Sequence, residues 1–458
     1  MPSRCLLPSR AKQDPTLEIK IDGHYDSKIY TFGSAISGFV TITAHNQLPF
    51  QSLQIDLRGI TSTCGHAFQY GTPFKTHTFM QLQMPISASA LPINQSLKPG
   101  QLYHVPFRFV IPEQLSTTAC NHQNTAVRER HLRPPPSMGV WELDDLAGGS
   151  AHVDYVIRGR LVLSKNKRGE EQYLDQSRSV KVIPALPEQP PLHVRPENSE
   201  YCLSQTKTIR KGVIGTKMGL VRASATQPQP IVLCLDGLNA TESQIPIDLE
   251  YIPASTSAMP PDIRVKSATI ETFTNFWLGI DGYLPDHHEK PSNSVAPTAP
   301  WLTSHALVLK DRERVYWQKG HQPISEKGSE RRCSEPAHII RDCTEPQVIP
   351  RSASCASCCL NSSKTPAYKA TIQQSFKLPT ENSLFLPTFY SCLISRTYRI
   401  RLTLAIGTYG TTISLVVPLQ IASNGLDDAQ DNSQLRCMTQ DSEYEQAEEV
   451  LPPYSRFR

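Results

Sequence analysis

Hydrophobic and polar residues alternate with a period of two along most of the chain. Leu17-Glu18-Ile19-Lys20-Ile21-Asp22 alternates fully, and Met80-Gln81-Leu82-Gln83-Met84 repeats the pattern. Tyr103, Val105, Phe107, Phe109 and Ile111 share one face of a third run, and Val153, Tyr155, Ile157, Leu161 and Leu163 one face of a fourth. Successive side chains of a strand point to opposite faces of its sheet. Each run therefore predicts a strand with one face in a core and the other in solvent. Turn clusters separate the runs: Asn46-Gln47-Leu48-Pro49, Lys98-Pro99-Gly100 and Lys165-Asn166-Lys167-Arg168-Gly169. Many short strands, turns marked by Pro, Gly and Asn, and no long amphipathic helix predict an all-β fold of the sandwich type.

The alternation stops at Pro184-Ala185-Leu186-Pro187-Glu188-Gln189-Pro190-Pro191 and then resumes. Ile245, Ile247, Leu249 and Tyr251 share a face, as do Tyr398, Ile400, Leu402, Leu404 and Ile406, and then Ile413, Leu415, Val417, Leu419 and Ile421. This predicts one sandwich over 15–183, an extended proline linker over 184–196 and a second sandwich over 197–422. Two stretches break the pattern. Residues 113–150 contain His131-Leu132-Arg133-Pro134-Pro135-Pro136 and Ala147-Gly148-Gly149-Ser150, and are expected to form an inserted loop. Residues 283–368 are rich in Ser, Pro, Lys, Arg and Cys and are expected to be a disordered insertion. Residues 1–14 and 423–458 are expected to be disordered ends; 427–450 carry eight acidic residues against one Arg.

Composition narrows the function classes. The 458 residues carry 46 Lys+Arg and 42 Asp+Glu, a net charge of +4, which argues against a dedicated nucleic-acid binder. Proline (38) outnumbers glycine (23), which disfavours helical bundles and coiled coils. No run of 18 apolar residues predicts a spanning helix. The only apolar patch near the start is Cys5-Leu6-Leu7, too short for a secretory signal, so a cytosolic protein is expected. The twelve cysteines are then expected to be reduced thiols, and the sequons at Asn94, Asn239 and Asn361 chance matches.

Three segments, in this order, carry a family resemblance. Leu102-Tyr103-His104-Val105-Pro106-Phe107-Arg108-Phe109-Val110-Ile111-Pro112 resembles the N-domain strand of arrestins that ends in Ile-Pro. His152-Val153-Asp154-Tyr155-Val156-Ile157-Arg158-Gly159 is similar to the strand that follows it. Leu386-Pro387-Thr388-Phe389-Tyr390, leading into the alternating strand of Tyr398, looks like the C-domain of fungal α-arrestins. The resemblance covers roughly 15–422 without the two insertions. It implies the arrestin fold, two tandem immunoglobulin-like β-sandwiches, and an adaptor without catalytic residues or cofactor. Such adaptors bind cytosolic regions of plasma-membrane transporters or receptors. They recruit a HECT-type ubiquitin ligase with WW domains, driving ubiquitination and endocytosis. Their place is the cytoplasm, with recruitment to plasma membrane and endosomes and peripheral membrane contact.

The sharpest candidate site is Leu451-Pro452-Pro453-Tyr454. WW domains bind proline segments held as a polyproline II helix; aromatic grooves clamp the prolines, and the tyrosine fixes register. Leu451 stands where the first proline of Pro-Pro-x-Tyr would be, which keeps an apolar contact but restrains the free peptide less. Thr365-Pro366-Ala367-Tyr368 is a weaker match. Arg331-Arg332-Cys333-Ser334 and Arg351-Ser352-Ala353-Ser354 suit basophilic kinases, making Ser334 and Ser354 candidate phosphorylation sites.

Other clusters read more plainly. Cys333, Cys343, Cys355, Cys358 and Cys359 include one C-x2-C pair but no second close pair, so a thiol-rich loop is favoured over zinc, with palmitoylation a third reading. Asp286-His287-His288-Glu289 reads as a solvated turn, because a metal site wants its ligands spaced on a rigid element. Arg158, Arg160, Lys165, Lys167 and Arg168 read as ordinary strand and turn residues rather than an anion-binding patch. No nucleophile elbow, P-loop, dinucleotide fingerprint or H-E-x-x-H occurs. Two rivals to the adaptor remain: an arrestin-like scaffold in ambient-pH signalling, and a β-sandwich hydrolase or metal-binding protein.

Overall fold

The structure is a computed structural model. It describes residues 14–65, 74–87, 89–164, 171–189, 191–194, 198, 200–211, 215–234, 239–277, 300–310, 315–319, 367–407 and 410–424. These residues are nearly all β, with one α-helix, Thr125–His131, and one 3-10 turn, Thr117–Ala119. No helix among them is long and apolar enough to cross a membrane.

The N-terminal half stacks two sheets. A three-stranded antiparallel sheet places Ala35–Thr43 between Thr16–Ile21 and Leu102–Val110. The opposing sheet runs Ile29–Tyr30, Tyr173–Val182, Ala151–Leu163, Leu48–Cys64, Phe74–Gln83. The C-terminal half repeats the plan. One sheet runs Ser204–Arg210, Lys217–Ala225, Ser243–Pro253, Tyr368–Lys377, Val308–Leu309. Its partner runs Trp301–Ala306, Ile263–Phe276, Ile394–Ile406, Phe389–Tyr390, with Thr411–Leu419 also on Ile394–Ile406.

The alternation places the cores. Tyr103, Val105, Phe107, Phe109 and Ile111 are all buried, and so are Val153, Tyr155, Ile157, Leu161 and Leu163. In the second half Ile245 to Tyr251 and Tyr398 to Ile406 are buried at every second position, whereas after Ile413 the burial becomes continuous from Leu415 to Ile421. Each such side chain contributes about 1.5–3 kcal/mol when fully removed from water. Gly100 sits at φ +72° in the predicted turn, a backbone state open to glycine at no steric cost. Phe79 and Met80 are both buried because the ladder shifts register between Gly59 and Ile60. The extra residue of that bulge turns a second side chain inward.

Three segments differ from the expectation. Residues 113–150 are not a free loop but an ordered wedge, with an exposed outer side and buried stretches at His131–Leu132, Pro134–Met138 and Asp145–Ala147. Pro134, Pro135, Pro136, Ser137 and Met138 are buried in succession. Prolines suit such a path, since a buried irregular segment must satisfy every N–H and these three have none. The flanking groups find partners: Tyr155 Oη donates to Pro135 O (2.7 Å), Ser137 N to Val182 O (2.8 Å) and Val182 N to Ser137 Oγ (2.9 Å).

The insertion expected over 283–368 is also narrower. Trp301–Ala306, Val308–Leu309 and Gln318–Lys319 are strands, and Tyr368 opens a fourth. These residues were unreadable because their inward positions are few; Trp301, Leu302 and Val308 are exposed. The described residues of the proline linker carry no strand, but its start is fastened. Ser423 Oγ donates to Pro184 O (2.6 Å), Leu186 N donates to Ser423 Oγ (3.1 Å), and Leu186 is buried in the N-terminal core.

Candidate functional site

The described residues form two hydrophobic cores, and the wedge belongs to both. Ala147 lies in the N-terminal core, while its neighbour Leu146 lies in the C-terminal one. Leu146 achieves this with φ +62°, a left-handed backbone that costs a non-glycine residue energy and persists where surroundings hold it. Gly148, at φ +70°, has no room for a side chain: a Cβ there would meet the Trp301 ring at 2.4 Å. In return Phe276, Trp277, Leu386, Phe389 and Ile394 of the second half pack into the first core. The two halves are thus interlocked at a junction built on 113–150.

At its centre Arg396 is fully buried. Its Nη1 donates to Asp145 O (2.8 Å) and its Nη2 to Met138 Sδ (3.2 Å), while Nε finds no partner among the described residues. The Asp145 carboxylate accepts from Gly139 N and from Ala147 N (3.1 Å). Burial pushes the Asp145 carboxyl above its ordinary value; the Gly139 N–H and the Arg396 charge oppose that shift without cancelling it. Leu384 N donates to Asp144 O (2.9 Å), and Thr274 Oγ1 to Leu146 O (3.3 Å), tying the wedge to the second half. Arg396 was legible in principle. It occupies an inward phase of the alternation Ile394, Arg396, Tyr398, Ile400, where a charged residue signals a buried partner.

A second cluster lies beside it. Asn124 caps the helix Thr125–His131, its Oδ1 accepting from Ala126 N (2.9 Å) and Val127 N (3.3 Å). The helix ends on His131, whose Nδ1 is 3.6 Å from Cys120 Sγ. Cys392, in the turn before Ile394–Ile406, completes the group, and one ligand atom from each of Cys120, His131 and Cys392 lies within 4.8 Å of the others. All three residues are buried. The turn is held by Ser391, whose Oγ donates to Ile394 O (2.7 Å), and Arg130 stacks over the Tyr390 ring at 5.6 Å. Hydrogen bonding from Cys392, then from His131 and His122 N, pulls the Cys120 thiol well below its ordinary pKa against the cost of burial; the same contact, with burial, drives Cys392 up. Motif spacing does not reveal this pair, because Cys120 and Cys392 stand 272 positions apart in sequence.

The sequence-predicted sites fare differently. Leu451, Pro452, Pro453 and Tyr454 lie outside the described residues, as do Ser334, Ser354, Asp286 to Glu289 and the cysteines Cys333, Cys343, Cys355, Cys358 and Cys359. Tyr368 of the weaker tyrosine match opens the strand Tyr368–Lys377, opposite Tyr251 and Lys319 in register, which does not suit an extended free ligand. Arg158 pairs with Asp175, its Nε donating to Oδ1 at 2.7 Å, and Arg160 lies over the Tyr173 ring at 4.0 Å. These two arginines are engaged within their own sheet; Lys165, Lys167 and Arg168 lie outside the described residues. A surface cleft of about 390 Å³ near His24, Asp154 and Arg178 has acids and bases that pair with one another, Lys181 with Glu142 and Arg178 with Asp26.

No protein-family model matches the chain, and no curated protein matches it in sequence.

Proposed function

We propose that the chain is an arrestin-like adaptor. It binds the cytosolic part of a plasma-membrane transporter or receptor and holds a WW-domain HECT ubiquitin ligase through Leu451-Pro452-Pro453-Tyr454. One observation carries the reading: two successive β-sandwich halves, interlocked at a buried junction, precede a Leu-Pro-Pro-Tyr segment in sequence. Interlocked halves offer a rigid surface for cargo, and the motif has WW-ligand chemistry. The mechanism is proximity. Tethering raises the ligase to roughly millimolar effective concentration at the cargo where the connecting chain spans the gap. Cargo lysines are then ubiquitinated, and the cargo is internalised from the plasma membrane to endosomes. The adaptor itself contributes geometry and no chemistry.

The test is a titration of HECT-ligase WW domains with peptides covering 444–458. Tyr454→Ala removes the ring that anchors the peptide, an effect of about 2 kcal/mol or more at an interface hot spot. Such a short ligand has little other contact area, so binding should fall below detection. Pro452→Ala should weaken binding by freeing the backbone, and Leu451→Pro should tighten it by stiffening the free peptide towards its bound shape. Equal binding by wild-type and Tyr454→Ala peptides, or none by either, would overturn the proposal.

A further inference from the structure

We propose that Cys120, His131 and Cys392 bind a zinc ion that staples the wedge of the first half to the second. The residue types are those of a zinc site, two thiolates and an imidazole. The spacing fits as well. Tetrahedral zinc, with Zn–S of about 2.3 Å and Zn–N of about 2.0–2.1 Å, places a sulfur and a nitrogen ligand about 3.6 Å apart. Cys120 Sγ and His131 Nδ1 are 3.6 Å apart. Two sulfurs on the same ion would be about 3.8 Å apart, and the three ligand atoms already lie within 4.8 Å of one another. Closing the set asks for a movement of about 1 Å or less.

The cluster's other hydrogen bonds leave the position open. With His131 Nδ1 as the ligand atom, Nε2 carries the imidazole proton; it is buried and has no hydrogen-bond partner among the described residues. Its Nδ1 makes only the long contact to sulfur. Cys392 Sγ reaches Ala119 O at 3.8 Å, a weak interaction that a metal bond would replace. The cluster is rigidly built: His131 ends a capped helix, His122 N donates to Cys120 Sγ (3.4 Å), and Cys392 lies in a turn closed by Ser391.

Charge selects the ion. Two thiolates, a neutral imidazole and Zn²⁺ sum to zero, so burial costs no net charge. Cu⁺ with the same ligands would leave one uncompensated negative charge in the core. Binding breaks the S–H bonds of whichever thiols are protonated, and the protons leave to solvent. Three protein ligands leave a fourth position for water; His122, its ring 5.7 Å from that of His131, and His77, whose Nε2 is 3.0 Å from Ala119 O, are further imidazoles beside the cluster.

The experiment uses the full chain, purified under reducing conditions without chelator, and measures bound zinc by elemental analysis. A Cys120→Ser/Cys392→Ser variant is compared with a Cys355→Ser/Cys358→Ser variant that removes the C-x2-C pair outside the described residues. Wild type and the Cys355/Cys358 variant should each hold about one zinc at the buried site after reconstitution, and the Cys120/Cys392 variant should lose that equivalent. Replacing zinc by Co²⁺ should give near-ultraviolet thiolate-to-cobalt charge transfer in the first two proteins. That signal decides the matter even if the Cys120/Cys392 variant fails to fold. Absence of zinc and cobalt binding from the Cys355/Cys358 variant, full zinc retention after Cys120 and Cys392 are replaced, copper in zinc's place, or a Cys120–Cys392 disulfide in the reduced preparation would each overturn the proposal.

Discussion

Two interruptions of the β pattern have opposite outcomes. The segment 113–150 becomes a wedge with its buried apolar side chains divided between two cores, whereas the second interruption, over its described residues 300–310 and 315–319, adds edge strands with exposed faces. Both lack periodicity in sequence. They differ in what surrounds them. The wedge lies between two sandwiches, so an irregular run can bury side chains on more than one side. An edge strand has one sheet to lean on and leaves Trp301, Leu302 and Val308 exposed. Charged residues follow the same division. Arg396 in the junction is fully buried, while Arg158 on the outer sheet keeps part of its surface wet beside Asp175.

The largest test of this contrast is Arg396→Ala. Breaking a buried charge set leaves its remaining polar members unpaired, and a loss of about 3–5 kcal/mol is expected in denaturant unfolding. Arg158→Ala, at an exposed ion pair, should cost about 0–1 kcal/mol. Next is Leu146→Ala, which removes a buried side chain from the second core and should cost about 2–5 kcal/mol. Leu302→Ala on the edge strand should stay within about 0.5 kcal/mol. Smaller is Tyr155→Phe, which strands the buried Pro135 carbonyl and should cost about 1–3 kcal/mol. Equal effects from junction and edge variants would break the comparison.

The subtlest effect is in pH dependence. Burial works to raise the Glu271 pKa, but hydrogen bonds from Arg401 and Arg399 outweigh it and hold the carboxyl below its ordinary value. A depressed carboxylate stabilises the fold above its unfolded pKa, about 4.3, and loses that contribution as pH falls through the lower folded value. Glu271→Gln should therefore flatten the acid limb of a stability–pH curve. Asp145 has the opposite sign: its raised pKa favours the fold at low pH, and that contribution is lost as pH rises through the folded value. Asp145→Asn should remove this opposing slope.

The strands were legible because burial on one face writes a period of two into the sequence. That is why the faces of Val153 to Leu163 and Tyr398 to Ile406 are buried as the alternation predicts. The wedge was not, since Leu115, Cys120, Leu132, Met138 and Leu146 are buried at irregular spacing against partners supplied from both halves. Prolines 134–136 looked like loop punctuation, yet their missing N–H groups are what fits them to a dry interior. The thiol–imidazole cluster was hidden for another reason: local spacing finds metal ligands close in sequence, and Cys392 arrives from the far half of the chain. The segment Leu451-Pro452-Pro453-Tyr454 is the reverse case: its residues are consecutive and so stand out in sequence, but they lie outside the described residues.

The account rests on the wedge making one body of two sandwiches, and scanning calorimetry of the full chain tests this most directly. Strong coupling at the junction predicts a single transition whose calorimetric enthalpy equals its van't Hoff enthalpy. Arg396→Ala or Leu146→Ala should split it into two. Two independent transitions in the wild-type protein, unchanged by either substitution, would contradict the account.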